Sequence, residues 1–220
     1  LFIGIDFGTS YSTVCWWNPH SNVPEVIRNE HGDEKTPSAV FIGSGGEILV
    51  GKPALDQLAD TAHMPSKDQV EIFSRTFVGV KRLLKDDLPL ALPDGRIVTP
   101  VEVAAEILKN LKLSAESGCL HDSVEGVVVA HPVLFTAREK ERLQEAPALA
   151  GFKKVILIEE PVAAVMGYVA SGANAGCKIL VYDLGGGTLD LAFVENNDGL
   201  HIPAEPTGAS IGGEDFDRLI

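Results

Sequence analysis

The sequence predicts an α/β domain built on a mixed β-sheet, and three observations carry that prediction. Strand patterns crowd the first forty or so residues, strand and helix patterns alternate from residue 99 onward, and one strand–turn–strand unit occurs twice. Strands first and alternation afterwards is the order of an α/β layer architecture.

The elements follow in chain order. "FIGIDF" (2–7) and "YSTVCWW" (11–17) are two strands joined by a Gly-Thr-Ser turn, and "PEVIRN" (24–29) adds a third. Trp16 and Trp17 alternate on the second strand, so one is expected inside and one outside. "TPSAVFIG" (36–43) opens a new segment with a second apolar run, "EILVG" (47–51), and helical patterns follow over about 52–62 and 69–85. "LPDGR" (92–96) is a turn. A helix starts after Thr99, with Pro100 in its first turn and Glu102 completing a T-x-x-E capping box. Val101, Ala104, Leu108, Leu111 and Ala115 share its apolar face. "SVEGVVVAHP" (123–132) is a buried strand, and Thr136 with Glu139 opens a second capped helix over about 137–150. Pro147 is expected to end or kink that helix, since an interior proline costs about 3 kcal/mol. "KKVILIEE" (153–160), "PVAAVMGYVASG" (161–172) and "CKILVYD" (177–183) read as strand, helix and strand.

Composition narrows the function. A formal net charge of -13 argues against non-specific nucleic-acid binding, which needs a basic face. An anionic ligand would need a local screen, most simply Mg²⁺. Cys15, Cys119 and Cys177 have no C-x-x-C spacing and read as reduced thiols of a cytoplasmic protein. No stretch is apolar for the length of a membrane span, and no signal peptide is visible. The chain begins at Leu1 and stops at Ile220 in what reads as a starting helix, so it is expected to be part of a longer protein.

The repeated unit carries the chemistry. "FIGIDFGTSYSTVCWW" and "ILVYDLGGGTLDLAFV" are each an apolar strand ending in Asp, a Gly-Thr turn and a second apolar strand, with Asp6 matching Asp183 and Thr9 matching Thr188. Two copies imply two similar domains facing one another. Tight glycine turns leave backbone N–H groups bare, and such nests bind anions, phosphate first among them. An Asp at each strand end can hold a hydrated Mg²⁺ between phosphates and protein. The two carboxylates are expected to converge on one cleft.

With these residues in hand the sequence resembles the 70-kDa heat-shock protein (DnaK-type) chaperones of the actin-like ATPase superfamily. The matching stretches are "IGIDFGTSYSTV", "TPSAV", "VGVKRLL", "VVVAHPVLFTAREKERL", "ILIEEPVAAVMGY", "ILVYDLGGGTLDLAF" and "IGGEDFD", in family order over essentially the whole chain. The resemblance implies a ribonuclease-H-like lobe: a mixed five-stranded sheet with helices on both faces, an inserted small α/β subdomain and a partial second lobe. Residues 1–36 and 99–173 would be the main subdomain of lobe I, 37–98 the insertion, and 174–220 the truncated start of lobe II.

The same resemblance implies roles. Gly8, Thr9, Ser10 and Tyr11 would form one phosphate loop, Gly185, Gly186, Gly187 and Thr188 the second, and Gly212 with Gly213 a further loop on the nucleotide side. Asp6 and Asp183 would hold Mg²⁺ waters, and Asp190 would help place a monovalent cation, K⁺. Lys81 matches the lysine needed for hydrolysis and Glu160 the carboxylate that positions the attacking water, with Asp183 and Thr188 beside them. Taken alone, Lys81 reads as a solvated helix residue, Glu160 as an acid favouring a helix N-terminus, and His131 as structural. The implied cofactors are ATP or ADP, Mg²⁺ and K⁺. The implied partners are unfolded peptides bound by a domain absent here, a J-domain co-chaperone and a nucleotide exchange factor, with no nucleic acid and no membrane.

The implied function is Mg-dependent ATP hydrolysis coupled to peptide binding and release. The sequence departs from the family where nucleotide is relayed to the peptide domain: Pro132 is present, but the residue eight on is Lys140 where the family has arginine. His131, Val133 and Pro147 also differ, and Glu159 replaces the usual Asn. Lys140 and Pro147 support an alternative, a divergent chaperone-like paralogue that holds nucleotide, hydrolyses it poorly and acts through partners, while the retained Lys81, Glu160 and Thr188 argue against it. A small-molecule kinase or filament protein of the superfamily fits "LGGGT", "GGEDFD" and "IEEPVAA" poorly. Residues 1–220 alone are predicted to bind Mg-ATP weakly and to be inactive as an ATPase, because by resemblance the base pocket lies beyond them. Calorimetry tests this, and micromolar or tighter affinity would overturn it.

Overall fold

The computed structural model describes residues 1–86, 88–172, 176–197 and 199–219. The break placed between 173 and 174, and Ile220, lie outside the described residues. In chain order the strands and α-helices are β1 (Phe2–Phe7), β2 (Tyr11–Asn18), β3 (Val23–Ile27), β4 (Thr36–Pro37), β5 (Ala39–Ile42), β6 (Ile48–Val50), α1 (Lys52–Ala59), α2 (Ser66–Arg75), β7 (Thr76–Val78), α3 (Val80–Leu83), β8 (Leu90–Ala91), β9 (Ile97–Val98), α4 (Pro100–Ala115), β10 (Gly126–His131), α5 (Ala137–Leu149), β11 (Lys154–Glu159), α6 (Glu160–Ala170), β12 (Cys177–Leu184), β13 (Leu189–Asn197), β14 (Gly199–His201), β15 (Thr207–Ala209) and α7 (Gly213–Asp217).

The main sheet has the order β11-β10-β1-β2-β3, with the two-residue β4 also paired to β2. β1, β10 and β11 run parallel, while β1, β2 and β3 are antiparallel, so the sheet is mixed as the element order predicts. Residues 3, 5 and 7 of β1 alternate inward, and Ile3, Ile5 and Phe7 are buried against Leu108, Leu111 and Leu143 of α4 and α5. Asp6 points the other way and is exposed at the strand end. α6 approaches β10, β11 and β3 but buries Val165 in a separate cluster with Ala192 and Val194 of β13, so helices flank the sheet on both sides.

Both capping boxes form. Thr99 accepts from the Glu102 N–H while Glu102 accepts from the Thr99 N–H, and Thr136 and Glu139 do the same. α5 runs two residues past Pro147, which sits in the last turn; the missing N–H costs one i→i−4 hydrogen bond and the helix ends at Leu149. The Pro147 carbonyl accepts from the Phe152 N–H at 3.0 Å, and the chain turns away at Gly151, whose φ is +87°.

Over residues 36–85 the expected helix at about 69–85 is corrected, and the 36–43 stretch divides. "TPSAVFIG" divides between two sheets: Thr36–Pro37 joins β2 in the main sheet, whereas Ala39–Ile42 opens the new segment in a separate three-stranded sheet of order β6-β5-β7. The 69–85 helix stops at Arg75, because Thr76, Phe77 and Val78 pair antiparallel with Phe41, Val40 and Ala39. β-Branched and aromatic residues gain more on a sheet edge than in a helix, and pairing overrides the helical spacing. Gly79, at φ +63°, then turns the chain into the four-residue α3 that carries Lys81.

Thr99→Ala and Thr136→Ala are each predicted to destabilise the protein by about 1 kcal/mol, since each leaves first-turn N–H groups uncapped. Urea midpoints should fall for both with unchanged slope.

Candidate functional site

The C-terminal ends of β1, β10 and β12 meet the start of β13. Asp6 lies opposite Ala130 across the parallel β1–β10 pair, and Asp183 lies directly opposite Asp190 across the antiparallel β12–β13 pair. Directly opposed like charges destabilise a sheet. The fold offsets part of this at Asp190, which is 1% exposed: its Oδ1 accepts from the Val133 N–H at 2.7 Å, joining the two halves of the chain. Its Oδ2 is buried with no hydrogen-bond partner among the described residues. The Asp183 carboxyl is pushed above the usual carboxylate range by burial, then by the charges of Asp6 and Asp190, with Lys81 opposing. Asp6, Asp183 and Asp190 therefore share one field.

Lys81 is buried and pairs with Glu160 at the first residue of α6. Burial still raises Glu160, helped by Asp6 and Asp190 and opposed by Lys81. The Lys81 ammonium also lies 5.9 Å from the centre of the Phe135 ring, a cation–π distance.

The glycine turns lie beside these charges. The Gly8–Tyr11 turn is held by Ser38, whose Oγ donates to the Gly8 carbonyl at 2.8 Å and whose N–H donates to the Ser10 carbonyl at 2.9 Å. The Gly185–Thr188 turn closes through the Gly185 N–H and the Thr188 carbonyl at 2.9 Å. Gly213 and Glu214 then donate their N–H groups to the carbonyls of Gly185 and Gly186, both at 2.9 Å. Glycine is required where these loops meet backbone: a Cβ on Gly212 would stand 2.4 Å from the Gly186 carbonyl carbon, and one on Gly8 2.1 Å from the Tyr11 carbonyl oxygen.

A cavity of about 250 Å³ opens along this seam, lined by Thr9, Lys81, Arg82, Thr188, Phe135 and Asp215 among others. The structure thus gathers Thr9, Lys81, Gly187 and Thr188 around one space, with Glu160 paired to Lys81. Tyr11 stands apart, 53% exposed, on a neighbouring groove with Pro37 and Leu55. Among the described residues no three His, Cys, Asp or Glu side chains are placed to wrap one metal ion. Sequence reasoning missed Ser38, Arg82, Val133 and Asp215. Ser38 and Arg82 lie inside the "TPSAV" and "VKRLL" stretches, but nothing in their type signals a contact far along the chain.

A family model described as "Hsp70 protein" matches residues 2–220. This chain belongs to the Hsp70 family. It is 38% identical over 219 residues to the chaperone protein DnaK of Thermosipho africanus, covering 99% of this chain and 34% of that protein. Identity is 37% to DnaK of Thermosipho melanesiensis and 36% to DnaK of Thermotoga neapolitana, with the same coverage. The Hsp70 chain therefore spans about a third of the length of these curated relatives. Among its described residues no helix is long and apolar enough to cross a membrane.

This Hsp70 chain carries His131 beside the site, at the end of β10 opposite Glu159. The ring is buried, its Nδ1 lies 2.8 Å from the Pro132 carbonyl, and it stacks on Phe135 at 6.2 Å. The Nδ1–H tautomer donates in this arrangement. Burial lowers its pKa first, the Pro132 contact opposes, and Lys140 and Lys81 lower it further against Glu159. A depressed folded pKa means the unfolded chain binds the proton more readily, so stability is lost as pH falls below the ordinary value of about 6.5. His131→Phe is predicted to flatten that part of the stability profile, read as Tm between about pH 7.5 and 5.5.

Proposed function

We propose that residues 1–220 are the first part of the ATP-binding and hydrolysing domain of a DnaK-type chaperone. One observation carries this reading: the buried Lys81–Glu160 pair stands beside two glycine turns whose strands both end in aspartate, all on one seam. Such a seam suits phosphoryl transfer to water, where the protein chiefly positions groups and stabilises charge.

In this reading the Gly8–Tyr11 and Gly185–Thr188 loops cradle the phosphates, through the N–H groups of Gly8–Ser10 and Gly186–Thr188, with Gly212 and Gly213 behind the second loop. Lys81 holds the terminal phosphate and the attacking water. Glu160, kept in place by Lys81, orients that water as an acceptor. Thr188 and Thr9 offer hydroxyls at the cavity wall. The site fits a hydrated cation: Asp6 and Asp183 share a field, no direct three-ligand cage exists among the described residues, and Asp190 Oδ2 is an unmatched acceptor. Asp6 and Asp183 would hold Mg²⁺ through its waters and Asp190 would help place K⁺; Mg²⁺ would neutralise phosphate charge.

Residues 1–36 and 99–173 serve as the main subdomain of the first lobe, 37–98 as its insertion and 174–220 as the start of the second. Peptide binding, a J-domain partner, an exchange factor and a cytoplasmic setting belong to the same proposal. Lys140 supports the second reading, a paralogue that holds nucleotide with little turnover, because lysine lacks the bidentate fork of arginine.

ATP turnover in a chain extended to the full length of the relatives separates the two. Mg-ATP binding with negligible turnover favours the second, and absence of Mg-ATP binding sinks both. If the protein turns over, Lys81→Met should lower kcat by about 10²–10³-fold, the cost of removing one transition-state donor. Asp183→Asn should abolish Mg-dependent nucleotide binding while leaving Tm unchanged or raised by up to about 3 °C, since it relieves like-charge crowding. A marked fall in Tm would show that Asp183 is structural.

A further inference from the structure

Arg82 reaches from the first half of the chain to the second. One guanidinium nitrogen donates to Asp215 Oδ1 at 3.1 Å and lies 3.7 Å from Glu214 Oε2, while the other pairs with Asp215 Oδ2 and donates to the Gly187 carbonyl at 3.3 Å. The two carboxylates hold the guanidinium firmly protonated, and Arg82 holds Asp215 below the usual carboxylate range. Glu214 also accepts from Ser10 Oγ at 3.1 Å, so the first glycine turn is tied to the same acidic pair.

Both ends of this contact are anchored. α3 is fixed to the first core by Val80 and the following Leu84, both 0% exposed, and Arg142 of α5 donates to the Leu84 and Lys85 carbonyls at 2.6 and 2.7 Å. On the other side Asp215 Oδ2 accepts from the Gly212 N–H at 2.9 Å, and the 212–214 segment is hydrogen-bonded to the Gly185–Gly187 turn. Arg82 and Asp215 both line the cavity.

We propose that Arg82, Glu214 and Asp215 form a clasp between the two halves of the chain that sets how readily the glycine loops part. The clasp stands on the geometry alone; its consequence for ligand release rests on the nucleotide reading. A bidentate arginine–carboxylate contact is directional and charge-assisted. It is also partly exposed, at 26% and 30% for the Arg82 and Asp215 side chains, so salt weakens it. Cutting it loosens the 185–188 and 212–215 loops and speeds escape of a phosphate-bearing ligand from the cavity between them.

Amide hydrogen exchange on residues 1–220 tests the clasp. In Arg82→Met, exchange at Gly185–Thr188 and Gly212–Asp215 should rise at least about threefold, with α4 unchanged as a control for folding. Glu214→Gln/Asp215→Asn, which leaves Arg82 in place, should give the same rise. Wild-type loops should approach the variant rate in about 1 M NaCl, and Arg82→Met should respond little. Unchanged loop exchange in both variants, or no salt response in wild type, overturns the clasp. Added Mg-ADP reads the consequence separately: it should protect these loops in wild type and dissociate faster from Arg82→Met. If Mg-ADP protects none of the proteins, the nucleotide reading fails while the exchange rates still decide the clasp.

Discussion

The structure depends on holding acidic groups in one field where burial limits how far water can spread their charge. Asp183 and Asp190 face one another across a strand pair, with Asp6 and Glu160 in the same field. Coulomb repulsion among these carboxylates is resisted in part by fixed donors and a buried cation. The Val133 N–H serves Asp190, and Lys81 serves Glu160. The unmatched Asp190 Oδ2 marks where compensation inside the protein stops. Strain of this kind concentrates where a ligand completes the balance.

That constraint explains how apolar and polar residues are divided. β1 sends Ile3, Ile5 and Phe7 into the core with α4 and α5, and sends Asp6 outward at its end. The alternation of a strand does both at once. β13 differs: Asp190, Ala192 and Val194 share one buried face, the last two packing on Val165 of α6 while Asp190, at the strand's start, is held by the Val133 N–H. The cores carry stability, and the strand ends carry charge that the cores do not need.

The elements most legible in the sequence were those whose signals are local. Both capping boxes, the apolar face of α4, the Asp-ended hairpins and their Gly-Thr turns depend on residues within a few positions of one another. The segment 69–85 was misread because helical spacing continues through Thr76–Val78, and only the presence of β5 makes those residues a strand. The division of "TPSAVFIG" between two sheets has no local signal, since nothing nearby shows that Ser38 holds the Gly8–Tyr11 turn.

By itself the sequence determined the two repeated hairpins, the mixed character of the sheet and the residue types at its charged ends, because period, caps and turns are written in neighbouring residues. Tertiary structure alone decided which distant groups meet. Lys81 and Glu160 pair across 79 positions, Asp190 and Val133 across 57, and Arg82 and Asp215 across 133. An arginine in a short helix and an aspartate after two glycines carry no mark of one another. Their contact follows from where α3 is anchored in one core and where the last glycine loop is tied in the other.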